Sequence, residues 1–276
     1  MADRAPRPEV DDIVDRLLAA YDDMTLVAPI SDGDPAFDGD AAYEVLHRIG
    51  ERRVAQGWVA AGRKIGFTNR TIWPLYGVDA PMWAHMWDRT VRFASHGEAT
   101  FDLTKLVQPR IEPEVVFKLR AGVPVTDDPV AVLSAVEWVA PGFEIVQCHY
   151  PDWRFTLADC TASFGLHGAL VVGSPVVVDD HNRDALAARL ATFEGTLSRD
   201  GDVVDRGVGS NVLDSPALAL VHLARVLEQQ PQFAPLSGGE VITTGTITNA
   251  WAVAPDDTWQ SDYGDLGITG LRLTFT

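Results

Sequence analysis

Two glutamates two positions apart, Glu112 and Glu114, stand in the otherwise strand-like run 109–119, PRIEPEVVFKL. Side chains of an extended strand alternate faces, so both carboxylates project from one side with Val116, while Ile111, Pro113, Val115 and Phe117 take the other. Pro113 has no N–H to give to a ladder, which predicts an edge, a strand start or a bulge at that point. Two like charges this close repel unless something positive lies between them. A hard divalent cation with oxygen ligands meets that need; a solvent-facing strand with two hydrated glutamates is the plain alternative. Glu144, in PGFEIVQ, is the candidate third ligand. It opens a strand after a helix and a Pro-Gly turn, a connection able to lay two strands side by side. Three carboxylates leave positions open for water and a chelating substrate, as Mg²⁺ prefers.

Lys64 sits among small and apolar residues in GRKIGFT, where a lysine usually snorkels to the surface. Asp159 and Ser163, in LADCTASFG, are of types that most often cap helices or close turns. The seven histidines show no metal-ligand spacing, and His149 and His167 read as core or surface residues. SGGEVITTG lacks the Gly-Lys-Ser/Thr of a phosphate-binding loop.

The elements that must position these residues follow from periodicity. Ile13, Val14, Leu17, Leu18 and Tyr21 define one face of a helix over 9–21, and a second helix runs to about Gln56 with Gly57 as its stop. A strand over 58–68 precedes the aromatic, proline-broken stretch 69–86, read as an irregular lid or subunit contact. From Val91 short strands take over. Asp128-Pro129 starts a helix expected to reach Val139, and a strand follows over 143–147. Asp200-Gly201 marks a hairpin. A helix beginning near Pro216 and strands over 240–248 and 267–275 complete the chain. The fold class is therefore α+β, with a helical region and lid-like segment over 1–90 and a β-rich catalytic body over 91–276.

Composition bounds the partners. The 276 residues carry 22 basic and 39 acidic side chains, a formal charge of −17. That balance argues against nucleic acid or an anionic membrane surface as partner, and any small anionic substrate needs a metal or a local cation to hold it. No run of about 18 apolar residues occurs, and MADRAPRPEVDD has no apolar core of the kind signal peptides carry. Two cysteines, Cys148 and Cys160, are too few for a disulfide framework, so a cytoplasmic protein with reduced thiols is expected.

The segments GRKIGFT, GVDAP, PRIEPEVVF, PGFEIV, LADCTAS, GDVVDRGVGSNVLDSPALALVHLA and GGEVITTGTIT stand in one order. In that order the chain resembles the hydratase/decarboxylase branch of the fumarylacetoacetate hydrolase superfamily, over residues 10–276. The resemblance implies a mixed, rolled β-structure behind a helical N-terminal region, and a homo-oligomer. It implies that Glu112, Glu114 and Glu144 bind Mg²⁺ or Mn²⁺, and that Lys64 holds the carboxylate or enolate oxygen of a 2-oxo acid. Lys64 would relay a proton if partial burial lowered its pKa. Asp159 would orient Lys64 or a water, with Ser163 and Thr246 contacting substrate. The implied reaction is hydration of a 2-hydroxypenta-2,4-dienoate (2-keto-4-pentenoate) in aromatic catabolism; the alternative is decarboxylation of a 4-oxalocrotonate-type acid. Hydrolysis of a carbon–carbon bond fits less well, because no N-terminal histidine–carboxylate pair is evident, and an inert metal-binding scaffold has no need of Lys64 beside three glutamates. One departure stands out: Met82-Trp83-Ala84 replaces the Asp-aromatic-Gly usual after GVDxP, removing a carboxylate from the substrate's surroundings. Cys160 and Thr161 likewise stand where Asn and Ala are common.

Overall fold

The computed structural model describes residues 8–276, so the leader reading of the first twelve residues falls largely outside it. Val14, Leu17 and Leu18 form the apolar stripe of α1 (Pro8–Asp23). After one turn, α2 (Ile30–Gly33), that stripe packs against Val45, Leu46 and Ile49 of α3 (Gly39–Ala55). Asp38 caps α3 by accepting the Ala41 N–H, and Gly57, at φ +79°, follows its last turn as expected.

Further along the chain come β1 (Ala60–Gly66), α4 (Trp73–Tyr76), β2 (Met82–Trp87), β3 (Val91–Phe93), β4 (Glu98–Phe101), β5 (Arg110–Leu119), α5 (Pro129–Leu133) and β6 (Val136–Val146). Then follow α6 (Leu157–Ala162), β7 (His167–Val172), β8 (Val176–Val177), α7 (Arg183–Leu190), β9 (Glu194–Arg199) and β10 (Asp202–Val208). The last elements are α8 (Pro216–Glu228), β11 (Val241–Thr246), β12 (Trp251–Ala252), β13 (Thr258–Asp262) and β14 (Arg272–Phe275). A large mixed sheet runs β2-β1-β11-β5-β6-β7-β3, with β12 on β5 and β8 on β6; a smaller one runs β10-β9-β13-β14-β4. The molecule is α+β.

β5 is the central strand, and its two faces do different work. Ile111, Val115, Phe117 and Leu119 are buried against α5, α7, α8 and the small sheet. Val116, on the opposite face, packs with Met86, Ala140, Leu170 and Val172. The alternation read from the sequence holds here. Pro113 lies in the interior of the sheet, at the irregularity where pairing of β5 passes from β11 to β12. Its missing N–H falls at the seam between two partners, the bulge option among those expected.

Two expectations are corrected. The helix begun at Asp128-Pro129 stops at Leu133, and residues 136–146 form one eleven-residue strand through Pro141-Gly142. All of β6 except Glu137 is buried, so the strand shows no alternation and its valines mimic a helical stripe. Pro141 again occupies a seam, between the β8 and β7 pairings. Secondly, only residues 70–81 of the supposed lid are irregular or helical; Met82–Trp87 is a buried strand paired with β1. β1 and β2, which precede residue 90, belong to the large sheet.

Candidate metal centre and active site

The antiparallel register of β5 and β6 sets Glu112 directly opposite Glu144 and Glu114 opposite Gly142. One carboxylate oxygen from each glutamate lies within 4.8 Å of the others. Each of the two deepest is aimed by a different device. Glu114 Oε2 accepts the Gly245 N–H at 2.7 Å. Gly245 sits at φ +95°, and a Cβ there would fall 1.8 Å from Thr68 Oγ1, so only glycine brings this amide so close. Glu144 Oε1 lies 2.7 Å from His167 Nδ1, whose Nε2 is 2.9 Å from Thr90 Oγ1. These bonds leave Glu114 Oε1 buried without a hydrogen-bond partner, while Glu144 Oε2 has only the Lys64 ammonium, 3.3 Å away. An unsatisfied buried acceptor costs about 1–3 kcal/mol, more when charged. The unpartnered Glu114 oxygen beside two further carboxylates completes a hard, anionic, all-oxygen donor set that fits a divalent cation of the Mg²⁺ or Ca²⁺ kind.

Lys64, on β1, is 4% exposed, not a snorkelling surface residue. Its Nζ donates to the Gly165 carbonyl at 2.9 Å and stands 3.3 Å from Glu144 Oε2. That carbonyl is carried on a left-handed turn: Phe164, Gly165 and Leu166 have φ of 55°, 58° and 60°. A Cβ on Gly165 would lie 2.8 Å from Met82 Cε, 2.9 Å from Ala84 Cβ and 3.1 Å from Lys64 Cδ. The segment that departs from the family pattern therefore floors the lysine's pocket, with Met82 and Ala84 beneath the turn and Trp83 turned into the core, its Nε1 bonded to Gln230 Oε1 at 2.8 Å.

Electrostatics follow from crowding. Burial raises Glu112 to about 7. Burial and the neighbouring Glu144 and Glu112 charges push Glu114 well above the usual carboxylate range. For Glu144 burial is outweighed by Lys64 and His167, which bring it down to about 2. Lys64 shows the reverse of the expected shift: burial alone would lower it, but Glu144 and Glu112 more than compensate and its pKa is raised. Beside bare carboxylates it is an ammonium at neutral pH, not a poised base.

The other expected residues divide. Thr246 lines the cleft above Lys64 and Glu112. Ser163 does not line it; it ends α6, with its hydroxyl buried beside Tyr150. Asp159 is fully buried and points elsewhere. It accepts from Ile30 N (2.8 Å), Ser31 N (3.0 Å), Ser31 Oγ (2.6 Å), Thr156 N (2.9 Å) and Thr156 Oγ1 (2.8 Å). It is the acidic half of a capping box that also pins α2 to α6, and no bond reaches Lys64. Lys64 is held instead by Glu144 and the Gly165 carbonyl. Sequence reasoning passed over His167, Thr90, Gly165 and Gly245, all set by backbone approach or by partners far apart in the chain.

Beside Lys64 and Glu112 the cleft is walled by Phe67, Tyr76, Trp153 and Phe155. Tyr76 and Phe155 stack at 5.9 Å and 15°. The arrangement joins a dication site, a fixed ammonium and an aromatic slot, which suits a small anionic chelator with an apolar or unsaturated tail.

Fold and site together describe an α+β protein with a buried three-carboxylate site able to hold a divalent cation at the end of a cleft. Residues 84–274 match the family described as fumarylacetoacetate (FAA) hydrolase C-terminal, and the chain belongs to that family. A 2-keto-4-pentenoate hydratase of Paraburkholderia xenovorans (strain LB400) is 32% identical over 252 residues, covering 90% of this chain and 88% of that protein. A 4-oxalocrotonate decarboxylase of a Pseudomonas species is 31% identical over 242 residues, covering 88% and 90%. Among solved structures, 4-oxalocrotonate decarboxylase from Pseudomonas putida G7, complexed with magnesium and adipate, superposes with a TM-score of 0.86 at 23% identity, covering 98% of each chain.

Proposed function

We propose that this chain is a divalent-metal-dependent lyase acting on a 2-oxo or 2-enol carboxylate, a 2-keto-4-pentenoate hydratase first among its readings. The observation that carries it is Lys64 Nζ, buried 3.3 Å from Glu144 at the floor of a cleft that also holds Glu112. Glu112, Glu114 and Glu144 would hold Mg²⁺ or Mn²⁺. Such an ion supplies Lewis acidity to the C1 carboxylate and C2 oxygen of a 2-oxo acid, stabilising the negative charge that develops there. Lys64 donates to the same anionic end and, fixed by Gly165, needs no reorganisation to do so. Thr246 offers a hydroxyl to the substrate, while Tyr76 and Phe155 line the tail and keep bulk water from the reacting carbons.

Decarboxylation is the second reading, supported by the 31% relative that covers 88% of this chain. Ultraviolet monitoring of 2-hydroxypenta-2,4-dienoate and 2-oxohex-3-enedioate, with Mg²⁺ and with EDTA, separates the two. Metal-dependent loss of the dienol without CO₂ establishes hydration; metal-dependent CO₂ from the diacid moves the chain to decarboxylation; inertness toward both sinks the lyase reading.

We further infer a cytoplasmic homo-oligomer. No described helix is long and apolar enough to cross a membrane, and the relatives are bacterial enzymes. Phe93 and Val177, 61% and 62% exposed, flank Trp138 at the edge of the large sheet, an apolar patch suited to a second copy of the chain.

A further inference from the structure

Tyr263 is a side chain that the lyase reading leaves unused. It follows β13 of the small sheet and is 1% exposed, its ring packed in the core with Val115, Phe193 and Ile247. Its hydroxyl donates to the Glu114 carbonyl at 2.7 Å and lies 3.3 Å from the Gly142 carbonyl. Those two residues stand directly opposite each other in the β5–β6 register. One belongs to the trio, and the other precedes Glu144 by two positions. A single hydroxyl therefore touches the backbone of both strands that carry the carboxylates. It reaches them from the side of Val115, behind the face from which the carboxylates project. The backbone is poorly supported at this point. On one flank the ladder of β5 with β11 breaks between Thr243 and Thr246, and Pro113 brings no N–H. On the other flank Pro141, next to Gly142, sits where β8 gives way to β7. In front, three carboxylates with oxygens within 4.8 Å of one another repel once ionised, and that force pushes β5 and β6 apart. A phenylalanine would fill the same core volume; the hydroxyl adds a donor behind the point of greatest repulsion.

We propose that Tyr263 is a positioning residue for the metal centre: its hydroxyl clamps β5 to β6 at Glu114 and Gly142 and so holds the carboxylates at the separation a dication requires. This rests on the reading of Glu112, Glu114 and Glu144 as the metal site. A donor set held in place before the ion arrives spends none of the binding energy on assembly, and a tolerance of about 0.5 Å makes the backbone beneath the ligands as important as their side chains. The small sheet, which carries none of the three glutamates, is thereby coupled to the ion they hold.

The test is Tyr263→Phe, with Mg²⁺ affinity measured by calorimetry and Mn²⁺ affinity by electron paramagnetic resonance, at a temperature where wild type and variant are both folded. Y263F is expected to bind either ion about tenfold more weakly, and to gain less in melting temperature at a fixed Mg²⁺ concentration. Leu227→Ala, a cavity at the end of α8, should lower the melting temperature and leave metal affinity as it was. A lower melting temperature with unchanged metal affinity in Y263F is what a merely structural hydroxyl gives, and it overturns the proposal; so does an equal loss of affinity in L227A. Should Y263F fail to fold, hydrogen exchange in the wild-type protein decides. Added Mg²⁺ should slow exchange at residues 263–266 as well as in β5 and β6, and protection confined to β5 and β6 overturns the clamp. A wild-type protein that binds neither ion removes the trio reading and the clamp together; one that binds both, with Y263F its equal, removes the role of Tyr263 alone.

Discussion

Lys64 is gripped from two sides, by a carbonyl at 2.9 Å and a carboxylate at 3.3 Å, and its stem is buried. Lys64→Met keeps the apolar stem and removes the charge. It should lower kcat by about 10²–10⁴ without weakening Mg²⁺, because the lysine competes with the ion for Glu144; steady-state kinetics beside metal calorimetry would show the split. His167 makes the complementary case. It touches Glu144 from behind, so His167→Ala should weaken Mg²⁺ about 10–100-fold, with turnover largely restored at saturating metal. Glu112 and Glu114 were legible because a strand's period of two is read directly from spacing. Glu144 was found on a mistaken route, since the end of the helix and the turn thought to deliver it are the first half of its own strand. His167, Thr90 and Gly245 were invisible for a common reason: each bond joins residues 23 to 131 positions apart, and residue type says nothing of such pairings.

At the level of elements, the one-turn α2 has little to hold it except Ile30 and the Asp159 carboxylate. Asp159→Asn converts an acceptor of five bonds into a group with one carbonyl oxygen and an amide facing donors. The variant should lose about 1–3 kcal/mol of stability or more and become sensitive to proteolysis between residues 24 and 38, with Mg²⁺ affinity unchanged. A retained melting temperature together with lost turnover would instead restore Asp159 to the active site. The residue misled because an aspartate three positions after a threonine has one face in a motif and another in a fold: the capping box is local and readable, whereas the reach back to Ile30 and Ser31 is tertiary. The long strand β6 and the short β2 were misread for the opposite reason from β5, being buried on both faces and so without a period to detect.

Across the whole molecule, the trio makes stability depend on metal and on pH together. Glu112, raised to about 7, and Glu114, raised well above the usual carboxylate range, hold protons in the folded metal-free protein that the unfolded chain gives up at ordinary carboxylate pKa values. The unfolded state therefore binds fewer protons between about pH 4.5 and 7 and beyond, and metal-free stability falls as pH rises through that window. Glu144, lowered to about 2, is ionised throughout it. A dication needs those protons gone, so Mg²⁺ should bind more tightly, and raise the melting temperature by a larger margin, at pH 8 than at pH 6. At a hundredfold excess over Kd the gain is about 2.7 kcal/mol, a shift of several degrees for a chain of this size; a margin that shrinks with pH would refute the assignment. The left-handed turn at 164–166 bears on how such a chain changes over generations. Phe164 and Leu166 occupy a backbone region that each disfavours by about 1–2 kcal/mol, and what they secure in return is the carbonyl that steadies Lys64. Selection for heat tolerance alone would let asparagine or glycine drift into both positions and loosen that grip. A lineage pressed to endure heat while keeping its turnover must find its margin in the loops and surfaces far from this turn.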